Sequence, residues 1–241
     1  MDRIAPAVIV VGALLTTLGI VGAFTLAGPV VGAAVDGVEV IGGQVVSNQL
    51  LFSQKIFYIH VPVAIASFAA VTFEAYFSLR YLMTRDAAFD LRAQVVTEVA
   101  LVFVVAVMAT GVPWTRFEWG VWWTWEPRLT TYLILMLLVI AYFILRSAVD
   151  DPERKAAYSA VFGIIMFVDV PISFMITRMI PSSVHPVVFR TDSGLSPDML
   201  IPFLLGLLGM LCVACGLFRL RLRAAELDER VRRAKELLDE E

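Results

Sequence analysis

Apolar residues run through this chain in six long blocks, near 6–31, 56–79, 93–112, 129–147, 157–178 and 198–218. Each block is about 20 residues long with few charges, the length a helix needs to cross hydrocarbon about 30 Å thick. The polar residues collect between the blocks instead of alternating within them. The pattern predicts an all-α integral membrane protein with six transmembrane helices. The first block is read as a span: it lacks a compact basic start and exceeds a signal-peptide core of roughly 7–15 residues. One membrane domain, 1–218, is expected, followed by a tail, 219–241. The tail spaces Leu220, Leu227, Val231 and Leu238 near a heptad. A solvated amphipathic helix is the plainer reading of it; a docking helix for a cytoplasmic partner is the alternative.

Composition fits lipid as the main solvent. The chain is 59% hydrophobic and 17% charged, where a soluble domain is typically about a quarter charged. No basic stripe stands apart from the span flanks, so nucleic acid is not an expected partner. The charges orient the chain. Lys and Arg number 14 in the N-terminal segment, the 80–92 and 146–155 loops and the tail, against 5 in the alternate segments. The positive-inside rule then puts both termini in the cytoplasm. Loops near 32–55, 113–128 and 179–197 face outward.

All five tryptophans fall between Trp114 and Trp125, in the second outward loop. A Trp belt is common at membrane interfaces, but a belt spreads over many span ends, and the other spans here have none. If this segment is helical, Trp119, Trp122, Trp123 and Glu126 share one face, and the helix lies along the membrane plane as a Trp-rich interfacial segment. Such a surface suits a large flat apolar partner. A porphyrin is one: indoles cover its disc, and an Arg such as Arg128 or Arg116 suits its carboxylates.

The chain has two histidines, His60 and His185, and the topology puts both on the tryptophan side. A lone His at a span end is ordinarily interfacial. Two together, with a Trp surface between them in sequence, favour axial ligation of haem iron. A zinc site would need more N/S ligands than this side supplies. Cys212 and Cys215 form a C-x-x-C within the sixth span, where small residues packing on a helix face is the plainer reading. Asp169, in the fifth span before Pro171, is an intramembrane carboxylate and a functional suspect; a hydrogen-bonded kink serves equally well. Glu74 and Glu98 carry no catalytic expectation. The chain has no G-x-x-x-x-G-K-[ST] element, so any ATP hydrolysis belongs to another chain.

The segment WGVWWTWEPRLT resembles the WWD signature of the haem-handling proteins of cytochrome c maturation, and YIHVP around His60 is similar to the corresponding segment of its CcmC branch. Size and element order agree with that branch. The resemblance implies haem b held at the outer face of the inner membrane, with His60 and His185 as axial ligands. Trp114, Trp119, Trp122, Trp123 and Trp125 would form the platform, with Glu126 and Arg128 as propionate or chaperone contacts. It also implies delivery to the haem chaperone CcmE, beside the ATP-binding cassette pair CcmA and CcmB and the small protein CcmD.

Two departures stand out. Glu126 replaces the usual Asp, and MIPSSV precedes His185 where the family often has aromatics. Presentation of haem is expected more than catalysis, because Glu126 is the one acid or base near the site; assistance to covalent attachment on a chaperone stays open. The rival readings are a haem b electron-transfer subunit, disfavoured because neither histidine is mid-span, and a channel exporting haem through the bundle, thinly supported by Asp169 and Glu74.

Overall fold

The computed structural model describes residues 4–27, 55–180 and 195–239. His185 and nearly all of the 32–55 loop lie outside these. The described residues form six helices: α1 (Ile4–Thr25), α2 (Phe57–Thr84), α3 (Ala87–Trp119), α4 (Pro127–Ala148), α5 (Pro152–Met179) and α6 (Pro197–Asp239). All six are long and apolar enough to cross a membrane, and no strand occurs among the described residues. The protein is a multi-pass membrane protein. Successive helices alternate in direction, so His60, the tryptophans and the start of α6 share one end of the bundle. The starts of α1, α3 and α5 share the other.

Local chemistry sets the turns. Asp86 caps α3, its Oδ1 accepting from Ala88 N at 2.9 Å. Asp151 caps α5 by accepting from Arg154 N at 2.8 Å, with Pro152 in the first turn. Arg85 closes α2 in the left-handed region at φ 58° and donates its N–H to Tyr81 O. At the other end Lys55 Nζ donates to the carbonyls of Ala23 and Ala27 at 2.6 and 2.7 Å, satisfying orphan acceptors at the end of α1.

α1 packs on α6 through glycines. A Cβ at Gly12 would stand 2.7 Å from Gly209 O, and one at Gly19 would stand 2.7 Å from Gly206 N. Without a hydrophobic force between helices in lipid, such close backbone approach supplies the packing. α2, α3, α4 and α5 enclose the core, where Val71, Val104, Leu135, Val139 and Met166 are fully buried. At the end opposite His60, Arg146 of α4 forms a bidentate pair with Asp90 of α3, at 2.6 and 3.0 Å, and also donates to Gln94 Oε1.

Pro62 lies in the second turn of α2. Its missing N–H leaves Tyr58 O without an intrahelical donor. Gly206 of α6 lies against that carbonyl, close enough that a Cβ there would stand 3.0 Å from it. Two expectations, on where α3 ends and on the tryptophan segment, need correcting. First, α3 continues past 112 to Trp119, so Trp114 and Trp119 belong to a span helix. Last, the tryptophan segment is not one helix. Gly120 ends α3 at φ 74°, and the chain then runs through a bend and an extended stretch to Glu126 at ψ 140°. The left-handed glycine stops the first helix, and Pro127 holds Glu126 extended. Trp119, Trp122, Trp123 and Glu126 therefore do not share a helical face. α6 itself runs unbroken from Pro197 through the tail to Asp239.

Candidate functional site at the His60 end of the bundle

The candidate site is a cleft between α2, α3, α4 and the last turns of α5. Its cavity volume is about 90 Å3, below the roughly 300–1,000 Å3 of small-molecule sites, so a larger ligand would extend out through the open mouth. Its walls are mainly apolar, with Ile65, Phe68, Val107, Met108 and Leu129 among them. Set into this lining are His60, Trp114, Trp123, Arg128, Arg178 and Tyr132.

His60 is held in one tautomer. Its Nδ1 lies 2.8 Å from Thr110 Oγ1. The Thr110 hydroxyl already reaches the carbonyls of Ala106 and Val107, at 2.9 and 3.1 Å. A hydroxyl has one proton, so Thr110 donates to its own helix and accepts from the imidazole. The ring proton then sits on Nδ1, and Nε2 keeps its lone pair. A histidine fixed through one nitrogen is in the form that ligates a metal through the other. Gly111 makes room for the ring: a Cβ there would stand 3.0 Å from Cε1 of His60.

The tryptophans divide into two groups. Trp114 and Trp123 line the cleft. Trp119 meets Trp114 edge-on, centroids 5.1 Å apart, and Trp125 meets Trp123 edge-on at 5.8 Å. Trp122 and Trp125 are 62% and 75% exposed, so they present most of their surface away from the cleft. The segment is tied back to α3 by Thr115, whose hydroxyl lies 2.8 Å from Trp122 O. Arg116 bonds the Gly120 carbonyl at the end of α3.

Glu126 is buried at the N-terminus of α4. Its Oε2 accepts from Arg128 N at 2.9 Å and Leu129 N at 3.1 Å. This is an N-cap, a position Asp favours strongly; here the longer side chain reaches the same donors. The carboxylate holds the start of α4, which places Arg128 on the cleft. Arg128 Nη2 and Arg178 Nη1 both point to Phe174 O, at 3.4 and 3.2 Å. Beneath them the Ser67 hydroxyl lies 2.7 Å from Ala64 O, and the Tyr132 hydroxyl lies 2.5 Å from Ser67 Oγ.

The cleft thus gathers His60, Trp114, Trp123 and Arg128 from the expected set. Trp119 and Trp125 adjoin it through ring contacts. His185 lies outside the described residues. Asp169 is buried elsewhere in α5 and Cys212 and Cys215 are free thiols in α6. Thr110, Gly111 and Arg178 escaped the sequence reading. The first two look like ordinary span residues until α3 is laid against α2. Arg178 was visible only as a flanking charge.

The family model for heme exporter protein C matches residues 1–237. A heme exporter protein C of Escherichia coli K12 is 28% identical over 174 residues, covering 71% of this chain and 69% of that protein. One from Bradyrhizobium diazoefficiens is 36% identical over 118 residues, 49% of this chain and 45% of the relative. One from Rhodobacter capsulatus is 32% identical over 111 residues, 46% of each chain. The match spans about half the length of the last two. With the model match running over nearly the whole chain, the protein belongs to the heme exporter protein C family.

Proposed function

We propose that this protein binds haem b in the cleft at the His60 end and presents it for cytochrome c assembly. The single observation that carries the reading is His60 itself. Its Nδ1–H is taken by Thr110, which leaves a bare Nε2 beside an apolar cleft bearing two indoles and an arginine. That donor set fits a porphyrin: an imidazole for iron, indole faces for the ring and a guanidinium for a carboxylate. His60 and His185 are the proposed axial ligands. Trp114 and Trp123 are proposed as the ring-facing part of the platform, supported edge-on by Trp119 and Trp125. Trp122 and Trp125 offer exposed aromatic surface to a docking chaperone.

The charge distribution supports an inner-membrane orientation with both termini cytoplasmic and the cleft outward. The proposed recipient is the haem chaperone CcmE, with CcmA, CcmB and CcmD as complex partners. Presentation through the cleft accounts for the molecule better than passage through the bundle, whose middle is filled by Leu135, Val139, Met166 and Tyr142, all fully buried.

The test is the absorption spectrum of detergent-purified protein from haem-replete cells, beside His60→Ala, His185→Ala and the double variant. A low-spin six-coordinate spectrum in the wild type, lost in the double variant, is expected. An unchanged spectrum in both single variants would refute the ligand assignment.

A further inference from the structure

The cleft beside His60 is small for the ligand its chemistry suits. Its cavity is about 90 Å3, so a macrocycle seated there projects from the mouth unless a wall retreats. Among the described residues the walls belong to α2, α3, α4 and α5, with one exception. The helical walls are hydrogen-bonded along their length and packed on the core. The exception is Trp123, which stands on the non-helical stretch between Gly120, where α3 stops, and Pro127, where α4 begins.

That stretch is held lightly. Among the described residues no backbone–backbone hydrogen bond ties residues 121–125 to a helix. Trp122 and Trp125 are mostly exposed, so Trp123 is the indole that the stretch turns into the cleft. Its tie to α3 is the buried hydroxyl of Thr115. Two carbonyls stand 2.8 Å from that oxygen: Val112 O of the same helix and Trp122 O of the stretch. A hydroxyl has one proton, so the two acceptors share it. When the stretch leaves, the proton passes wholly to Val112 O, and Thr115 is never left unpaired. Within the stretch, the Thr124 hydroxyl oxygen is buried without a hydrogen-bond partner. An unpaired buried hydroxyl is unfavourable, and outward movement gives it to water. One shared bond and the cover of Trp123 thus favour the closed position, and one orphan hydroxyl opposes it.

Both ends of the stretch are suited to turning. Gly120 takes φ 74°, and a Cβ on it would meet nothing within 4 Å. Arg116 holds the Gly120 carbonyl at the base, so the base stays while the residues beyond it move. At the far end Glu126 is extended and its carboxylate caps α4, which keeps the helix start in place.

We propose that residues 120–126 form a flap over the cleft, hinged at Gly120 and Glu126 and latched by Thr115. It swings outward with Trp123 to admit a flat macrocycle and returns to cover the ring's face. The ligand's identity rests on the haem reading above; the motion does not. Because the open form admits the ring, the association rate follows the open population.

The experiment compares wild type, Thr115→Val and Thr124→Val in detergent. Acrylamide quenching of tryptophan emission in the haem-free protein reports the flap, because all five tryptophans lie between Trp114 and Trp125. Stopped-flow mixing with haem gives the association rate. Valine is close to threonine in shape, and the two variants should move in opposite directions. Thr115→Val removes the latch, so quenching should rise and haem should associate about three- to tenfold faster, the size of one hydrogen bond. Thr124→Val removes the orphan hydroxyl, so quenching should fall and association should slow by a similar factor.

Quenching that shifts the same way in both variants, as a packing defect would cause, overturns the flap, and so does quenching that shifts in neither. If Thr115→Val does not fold, Thr124→Val decides alone: unchanged or increased quenching overturns the flap. Quenching that shifts while association rates stay at wild type overturns its role as a gate. The haem-free measurement decides the flap even where wild type gives no haem spectrum, which is the outcome that sinks the haem reading, so the two failures are told apart.

Discussion

Nδ1 of His60 on α2 and Oγ1 of Thr110 on α3 lie 2.8 Å apart, and this contact decides which imidazole nitrogen carries the proton. Thr110 spends its own proton on the backbone of α3, so it serves His60 as an acceptor. Removing that acceptor leaves a part-buried N–H without a partner and frees the ring to rotate or change tautomer. Thr110→Val, close in shape, should weaken haem binding by about 10- to 100-fold, the usual cost of losing a ligand's orienting partner. The variant should fold normally. Haem titration followed at the Soret band checks this, and wild-type affinity would refute it.

Gly111 tests the same ring by crowding it. Alanine is the better helix former by about 1 kcal/mol, so on propensity alone Gly111→Ala should stabilise α3. The added methyl, however, would stand 3.0 Å from Cε1 of His60, closer than ordinary van der Waals contact. The imidazole must tilt, and its Nε2 moves with it. Thermal stability is expected to hold or fall slightly while haem affinity drops at least tenfold and the low-spin spectrum broadens or shifts. Loss of stability and binding together, in proportion, would argue instead for a general packing defect.

Glu126 stands where the resemblance implies Asp, and as the cap of α4 it has a task that either acid can perform. Asp and Glu both present a carboxylate to the N–H groups of Arg128 and Leu129. Glu126→Asp should therefore keep both stability and haem delivery. Glu126→Ala should cost roughly 1–2 kcal/mol of stability and loosen Arg128 at the cleft. A melting curve and a delivery assay on the two variants separate these outcomes. Complete loss of delivery in Glu126→Asp would show that the longer side chain has a role beyond the cap.

The six spans were legible because lipid imposes a simple rule: backbone groups must pair within the segment, so length and hydropathy alone reveal a helix. Where helices end depends on single residues. Gly120 was in view, yet the aromatic spacing suggested a helix across it from Trp119 to Glu126, and a left-handed glycine decided otherwise. The identity of His60 and the tryptophans as candidate chemistry came from residue type and clustering. The partners Thr110, Gly111 and Arg178 did not, because they depend on how α3 and α5 rotate against α2 and α4. Periodicity constrains that rotation weakly when a helix is apolar all round.

Glu74 and Gly163 illustrate the same dependence, and they supply a test of the packing itself. Glu74 is fully buried in α2, where Ser78 donates to its Oε1 at 2.6 Å. Its carboxyl group occupies the space beside Gly163 of α5, so that a Cβ at Gly163 would overlap it outright. The side chain has backbone and packed core around it, and it cannot withdraw to solvent. Gly163→Ala should therefore separate α2 from α5 and destabilise the protein by about 1–3 kcal/mol or more, the cost of overpacking. Glu74→Ala removes the obstacle, so the double variant Glu74→Ala, Gly163→Ala should be more stable than Gly163→Ala alone. Thermal unfolding of the three variants in detergent measures this as a coupling energy. Simple additivity of the two substitutions would show that the carboxyl group does not fill the space at Gly163.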